Sequence, residues 1–105
     1  MATIELSGKQ VEVDADNHLA NQGDWNEEMA AEIAKLEGIE ALNENHWKVI
    51  KYLRDEFSAK GQLPSIRAIS KNSGVNTKDF YQLFPKGPGK KSARIAGLPK
   101  PKSCV

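Results

Sequence analysis

One cysteine, Cys104, and two histidines, His18 and His46, are the only thiol or imidazole ligands in this chain of 105 residues. A single cysteine excludes an internal disulfide framework and any cysteine-cluster metal site. The histidines stand 28 positions apart, without the spacing of a ligand pair, so no metal is expected. Long apolar runs are missing too. The longest are Met29-Ala30-Ala31 and Val49-Ile50, and no transmembrane helix fits. Met1-Ala2-Thr3 leads straight into an acidic, alternating segment with no basic region or apolar stretch. No secretory leader is therefore expected, and the expected compartment is the cytoplasm. There is no P-loop pattern, no dinucleotide-binding glycine fingerprint and no nucleophile-elbow serine, so no cofactor is expected.

What is present is a soluble globular composition, 39% hydrophobic and 28% charged, of a length that suits one domain. The formal net charge of +1 hides a division. Residues 1–45 hold two lysines against eleven acids, a net of −9; residues 46–105 hold thirteen lysines and arginines against three acids, a net of +10. Such a split suits either an acidic partner for the C-terminal half or complementation within the fold.

Thr3-Ile4-Glu5-Leu6 and Gln10-Val11-Glu12-Val13 alternate polar and apolar residues around Ser7-Gly8-Lys9, which predicts a β-hairpin over about 3–13. Its buried face would be Ile4, Leu6, Val11 and Val13, lying on the helices that follow. Asp24 with Glu27 reads as a capping box, opening a helix whose inner face is Trp25, Met29, Ile33 and Leu36, ended by Gly38. Asn43 caps a second helix with His46, Ile50, Leu53 and Phe57 on one face and Gly61 at its end. His46 there is either a packing residue or a functional imidazole. Pro64 in the first turn begins a third helix with Ile66 and Ile69 inward, stopped by Gly74. Thr77 caps a fourth carrying Phe80, Leu83 and Phe84. Lys86 to Lys91 reads as a glycine-proline loop and Ser92 to Gly97 as one or two helical turns.

From Leu98 onward Pro99 and Pro101 forbid regular structure, so the end of the chain is expected to be an extended arm, anchored by Leu98 alone. Cys104 lies on that arm. Lys100 and Lys102 would favour its thiolate, while the carboxylate of Val105 opposes this. Seven steps from Gly97, at ~3.1 Å each, would carry the sulfur roughly 20 Å, enough to enter another protein's active site. The alternative is a frayed tail with an incidental cysteine. No base stands at a readable spacing from the thiol, which suits sulfur exchange better than acyl transfer. A second constellation, Ile69 to Phe84, has the pattern of a helix-turn-helix. Its second helix carries Lys78 against Asp79, net zero, so phosphate contacts would have to come from elsewhere. A corner packing Val75, Phe80 and Leu83 explains the same residues, and direct DNA binding is not expected.

Leu83-Phe84-Pro85-Lys86-Gly87-Pro88, Ile95-Ala96-Gly97-Leu98-Pro99-Lys100-Pro101 and Cys104-Val105 closely resemble the DsrC/TusE/DsvC family of sulfur-carrier proteins. Asp24-Trp25-Asn26-Glu27 with Ala30, Gly38-Ile39, His46-Trp47 with Val49-Ile50, Leu53-Arg54, and Pro64 with Arg67 agree, so the resemblance spans essentially the whole chain. It implies a mainly α fold: a small helical bundle with an N-terminal β-hairpin, a helix-turn-helix-like corner and a mobile C-terminal arm. The expected division is a single domain over 1–96 and a flexible arm over 97–105. Two departures stand out. The second arm cysteine of DsrC proper, eleven positions before the penultimate one, falls here on Ala93. The connection between Gly74 and Phe80 is also shorter than the usual family pattern. The missing cysteine points to the single-cysteine, TusE-like branch.

The resemblance thus implies a carrier subunit of sulfurtransferase type rather than a stand-alone enzyme. Cys104 would accept persulfide sulfur from donor relay proteins. It would pass that sulfur to an acceptor thiolating enzyme, with tRNA bound, for 2-thiouridine synthesis. Lys100, Lys102, Arg67 and Arg94 are the candidate binding residues beside it. The rival readings are a single-cysteine partner of a dissimilatory sulfite reductase-type or sulfur-oxidation system, and a helix-turn-helix nucleic-acid-binding protein.

Overall fold

Two five-residue strands, β1 (Ala2–Leu6) and β2 (Lys9–Val13), pair antiparallel with Ile4 opposite Val11. Ser7 and Gly8 between them both take positive φ, 54° and 79°, the two-residue turn whose twist matches a hairpin. Leu6, Val11 and Val13 are buried and Ile4 is half-buried, so the alternation yields the expected inner face. β1 packs on the first helix, and Ser7 Oγ donates to Glu28 Oε2 at 2.6 Å, pinning the turn there. The computed structural model describes residues 2–99, apart from the side chain of Gln22.

After the hairpin the chain folds back through a tight turn. Asp14 Oδ1 accepts the amides of Asp16 and His18, and Leu19 bridges to Val13. A short 3-10 turn (Gln22–Asp24) then leads to α1 (Glu27–Leu36). Here the structure corrects the sequence reading. Asn26, not Asp24, is the cap: its side chain accepts from the Met29 amide at 2.9 Å. Trp25 therefore precedes the helix. The buried stripe is Met29, Ala30, Ile33 and Ala34, and Leu36, expected inside, is 63% exposed. At ~100° per residue Leu36 sits about 90° from the centre of that stripe. Counting Trp25 as helical shifted the phase toward it.

α2 (Glu44–Lys60) follows the reading closely, from Asn43 at its cap to Gly61 in the left-handed region at φ 69°. α3 (Ile66–Asn72) is capped by Ser65, so Pro64 lies before the helix rather than in its first turn. α4 (Thr77–Leu83) is capped by Asn76, one residue earlier than expected, while Thr77 Oγ1 donates to Ser70 Oγ and ties the corner between α3 and α4. The expected loop at Lys86–Lys91 is only half right. Lys86 and Gly87, both at positive φ, turn the chain, and Pro88 then opens α5 (Pro88–Ile95) at its first position. α5 packs against α1, α2 and α4 at once. Five small or apolar residues on it, Pro88, Gly89, Ser92, Ala93 and Ile95, are buried, letting three helices approach one short one. Among the described residues no helix is long and apolar enough to cross a membrane.

Candidate functional site

The end of α5 is where the body hands over to the C-terminal segment. It closes as a Schellman motif: Gly97 takes φ 72°, its amide bonds to Arg94 O at 3.1 Å, and the Leu98 amide reaches Ala93 O at 2.9 Å. Leu98 is buried at 2% exposure, so the anchor expected from the sequence is part of the core. The last carbonyls of a helix lack intrahelical donors. Here side chains from three distant segments donate to carbonyls at and just beyond the end of α5. Trp25 Nε1–H donates to Ile95 O at 2.8 Å, Arg54 Nη1–H to Ala96 O at 2.7 Å, and His18 Nδ1–H to Leu98 O at 2.9 Å. Because a carbonyl can only accept, the last bond places a proton on His18 Nδ1. The Arg54 guanidinium lies 4.1 Å from the Trp25 ring centroid, a cation–π contact that holds both donors in place. Burial lowers the Arg54 pKa, but a guanidinium stays charged, and a charged donor makes the strongest of the three bonds.

Trp25 also shapes the space over Gly97. A Cβ added at Gly97 would stand closer than 3 Å to Cβ, Cγ and Cδ1 of Trp25. Backbone conformation and indole packing together require glycine at this position.

The candidate binding residues separate. Arg94 is 13% exposed and committed: its Nη1 pairs with Glu37 and its Nε donates to Asn17 O at 3.0 Å. Lys91 approaches Glu37 Oε2 at 4.0 Å, and Lys90 approaches Asp16 at 3.8 Å. Part of the charge split is thus complementation within the fold, binding α5 to the 14–18 turn and to the end of α1. Arg67 is exposed on α3, where it lines a shallow groove with Ser70, Lys71 and Thr77, away from the depression that Arg94 lines with His18 and Glu37. Cys104, Lys100 and Lys102 lie outside the described residues. Ala93, where the family's second cysteine would stand, is buried at 1% exposure. Sequence reasoning missed His18 and Arg54, and it used Trp25 only as a core residue. Their partners are 80, 42 and 70 positions away, and no local pattern marks them.

His46 has a structural task. Its Nδ1 accepts the Asn43 amide at 3.0 Å, closing the capping box of α2, and its Nε2–H donates to Leu83 O at 2.9 Å. An imidazole that accepts at one nitrogen and donates at the other is neutral. Burial lowers its pKa despite the bond to Leu83, which raises it. Between the lowered folded value and the ordinary 6.5 the unfolded chain binds more protons. Stability from this group is therefore complete above about 6.5 and is lost as pH falls below it. Urea titrations at pH 7.5 and pH 5 should show a less stable protein at pH 5, and His46→Gln should shrink that difference. An equal or larger difference in the variant would show that another group governs it.

Comparison with known proteins places this geometry in a family. The family model described as "DsrC like protein" matches residues 5–105. The gamma subunit of a dissimilatory-type sulfite reductase from Nitratidesulfovibrio vulgaris is 42% identical over 105 residues, covering all of both chains. The sulfurtransferase TusE of Photorhabdus laumondii is 40% identical over 112 aligned positions, again covering all of both. That alignment skips at least seven positions in this chain, whereas the alignment with the gamma subunit skips none. Among solved structures, a chain in the crystal structure of dissimilatory sulfite reductase I superposes with a TM-score of 0.90 and 43% identity, over 99% of this chain and 100% of that one.

Proposed function

We propose that this chain, which belongs to the family of DsrC-like proteins, is a sulfur carrier that holds a sulfane sulfur as a persulfide on Cys104. The observation that carries the reading is the full-length match to the family, running through Cys104, in a chain whose other residues offer no second thiol. The Cys104 thiolate attacks the outer sulfur of a donor persulfide. A new S–S bond forms, the donor's S–S bond breaks, and the donor thiolate leaves with the electron pair and takes a proton from water. A nucleophile of the acceptor then attacks the outer sulfur on Cys104 and expels its thiolate. No external oxidant or reductant enters either step.

The body contributes an anchor. With Leu98 in the core, six residues run from Pro99 to Cys104, and at ~3.1 Å each an extended segment would reach roughly 19 Å beyond the anchor. Lys100 and Lys102 favour the thiolate. Arg67, exposed on α3, faces an acidic partner. The chain works in the cytoplasm, between donor relay proteins and an acceptor enzyme. The single thiol favours tRNA 2-thiouridine synthesis, as the TusE relatives suggest. A second reading has a specific observation behind it: the gapless alignment with the sulfite reductase gamma subunit, which favours a sulfite reductase-type acceptor.

The purified, sulfur-loaded chain should be mixed separately with a tRNA-thiolating enzyme plus tRNA, and with a dissimilatory sulfite reductase. Loss of about 32 Da, one sulfur atom, together with formation of 2-thiouridine supports the first reading. Loss only with the reductase supports the second, and transfer to neither contradicts both.

A further inference from the structure

We propose that the depression between the start of α5 and the 14–18 turn is a binding site for a small, doubly charged oxyanion of the sulfate or phosphate class. The inference stands on described residues alone and is independent of the carrier reading. The depression has a volume of about 270 Å³. Four cations, Lys86, Lys90, Lys91 and Arg94, line it against two carboxylates, Asp16 and Glu37, a surplus of two positive charges. The cations divide by what they already hold. Arg94 is spent on Glu37 and on Asn17 O, and Lys91 on the Glu37 carboxylate and on Glu37 O at 3.4 Å. Among the described residues Lys86 holds no hydrogen bond or ion pair. Lys90 approaches Asp16 at 3.8 Å with both side chains exposed, a pairing that contributes little. Lys86 and Lys90 therefore keep donors for a ligand.

The groups left over select the ligand. A carboxylate is best matched by the planar fork of an arginine, and the arginine here is occupied. Lysine ammoniums are point charges with three donors each, which suit the several oxygens of a sulfate or phosphate. The start of α5 adds to them. Gly87 supplies no side-chain cap and Pro88 has no N–H, so the amides of Gly89 and Lys90 stand uncapped at the positive end of the helix dipole. His18, which also lines the depression, is fully buried, and its Nε2 has no partner among the described residues. A buried polar atom left unanswered costs stability, which fits a site completed from outside. The rim is held at a cost as well. Asn17 at φ 65° and Lys86 at φ 60° both line the depression in the left-handed region, a strain that gathers at ligand sites.

Amide spectra of the full chain should be followed by NMR during titration with sodium sulfate, and separately with sodium phosphate, at an ionic strength held constant with sodium chloride. The amides of Asn17, Gly89 and Lys90 should shift along a saturable curve with at least one of the two anions, and the tighter of the two identifies the source. Replacing both Lys86→Gln and Lys90→Gln should weaken binding by about tenfold or more, because bonds to charged groups are among the stronger ones. Replacing both Lys48→Gln and Lys51→Gln, exposed lysines of α2 that do not line the depression, should leave the affinity within about twofold of the parent's. Circular dichroism checks that each variant is folded, and the single changes at Lys86 and Lys90 serve should the pair fail to fold. Shifts that never saturate, shifts that chloride alone reproduces, or a loss below about threefold in the Lys86 and Lys90 variants would overturn the site. None of these readouts involves Cys104, so a failure of sulfur loading would sink the carrier reading and leave this site to its own test.

Discussion

Cys104→Ser should abolish sulfur loading completely and leave the melting curve where it was. Serine preserves size and hydrogen bonding, but near neutral pH its hydroxyl is a poor nucleophile, and it cannot hold a persulfide. Cys104 lies outside every periodic segment of the sequence, beyond the buried anchor Leu98. The change in stability should therefore stay within about 0.5 kcal/mol, as for ordinary surface substitutions. Loading and melting should be measured on one preparation, with sulfane sulfur read as thiocyanate released by cyanide. A collapsed melt would mean that Cys104 is a structural residue. Thiocyanate from the variant at the parent level would place the chemistry elsewhere.

Gly97→Ala should be the most damaging single methyl in the chain. Two costs combine there. An L-residue held in the left-handed region costs roughly 1–2 kcal/mol, and overpacking a filled site typically adds about 1–3 kcal/mol. The alanine methyl would meet Trp25 on one side while the Schellman bonds hold the backbone on the other. A loss of about 2–5 kcal/mol in urea unfolding is expected. In a Trp25→Ala background the methyl finds room, and only the backbone part, about 1–2 kcal/mol, should remain. A cost below about 0.5 kcal/mol in the parent background would mean that the chain leaves the core by another path.

The parts of the fold that could be read in the sequence are those with local punctuation. Ser7-Gly8 marks the hairpin. Asn43 and Gly61 bracket α2, and a 3.6-residue period between them places His46, Ile50 and Leu53 on one buried face. Reading failed where two residues compete for one task. Asp24 and Asn26 both suit a helix cap, and Trp25, between them, looks like a core residue of a helix that has not begun. The start of α5 was hidden because proline and glycine also mark loops, and only the neighbours of Pro88 decide between a loop and a first turn. The donors on the carbonyls of Ile95, Ala96 and Leu98 were beyond any local reading. Each is a side chain from another segment meeting a main-chain oxygen, and main-chain oxygens leave no trace in residue type. The sulfur-carrier role, by contrast, was legible through a resemblance that runs the length of the chain, from Asp24-Trp25-Asn26-Glu27 to Ile95-Ala96-Gly97-Leu98-Pro99.

Intact mass after incubation with a cysteine desulfurase, cysteine and the candidate relay proteins tests the central claim most directly. The account predicts a gain of one sulfur, about 32 Da, that dithiothreitol removes and that never appears on Cys104→Ser. An unchanged mass under conditions that load the relay proteins themselves, or a gain of equal size on the serine variant, would contradict it.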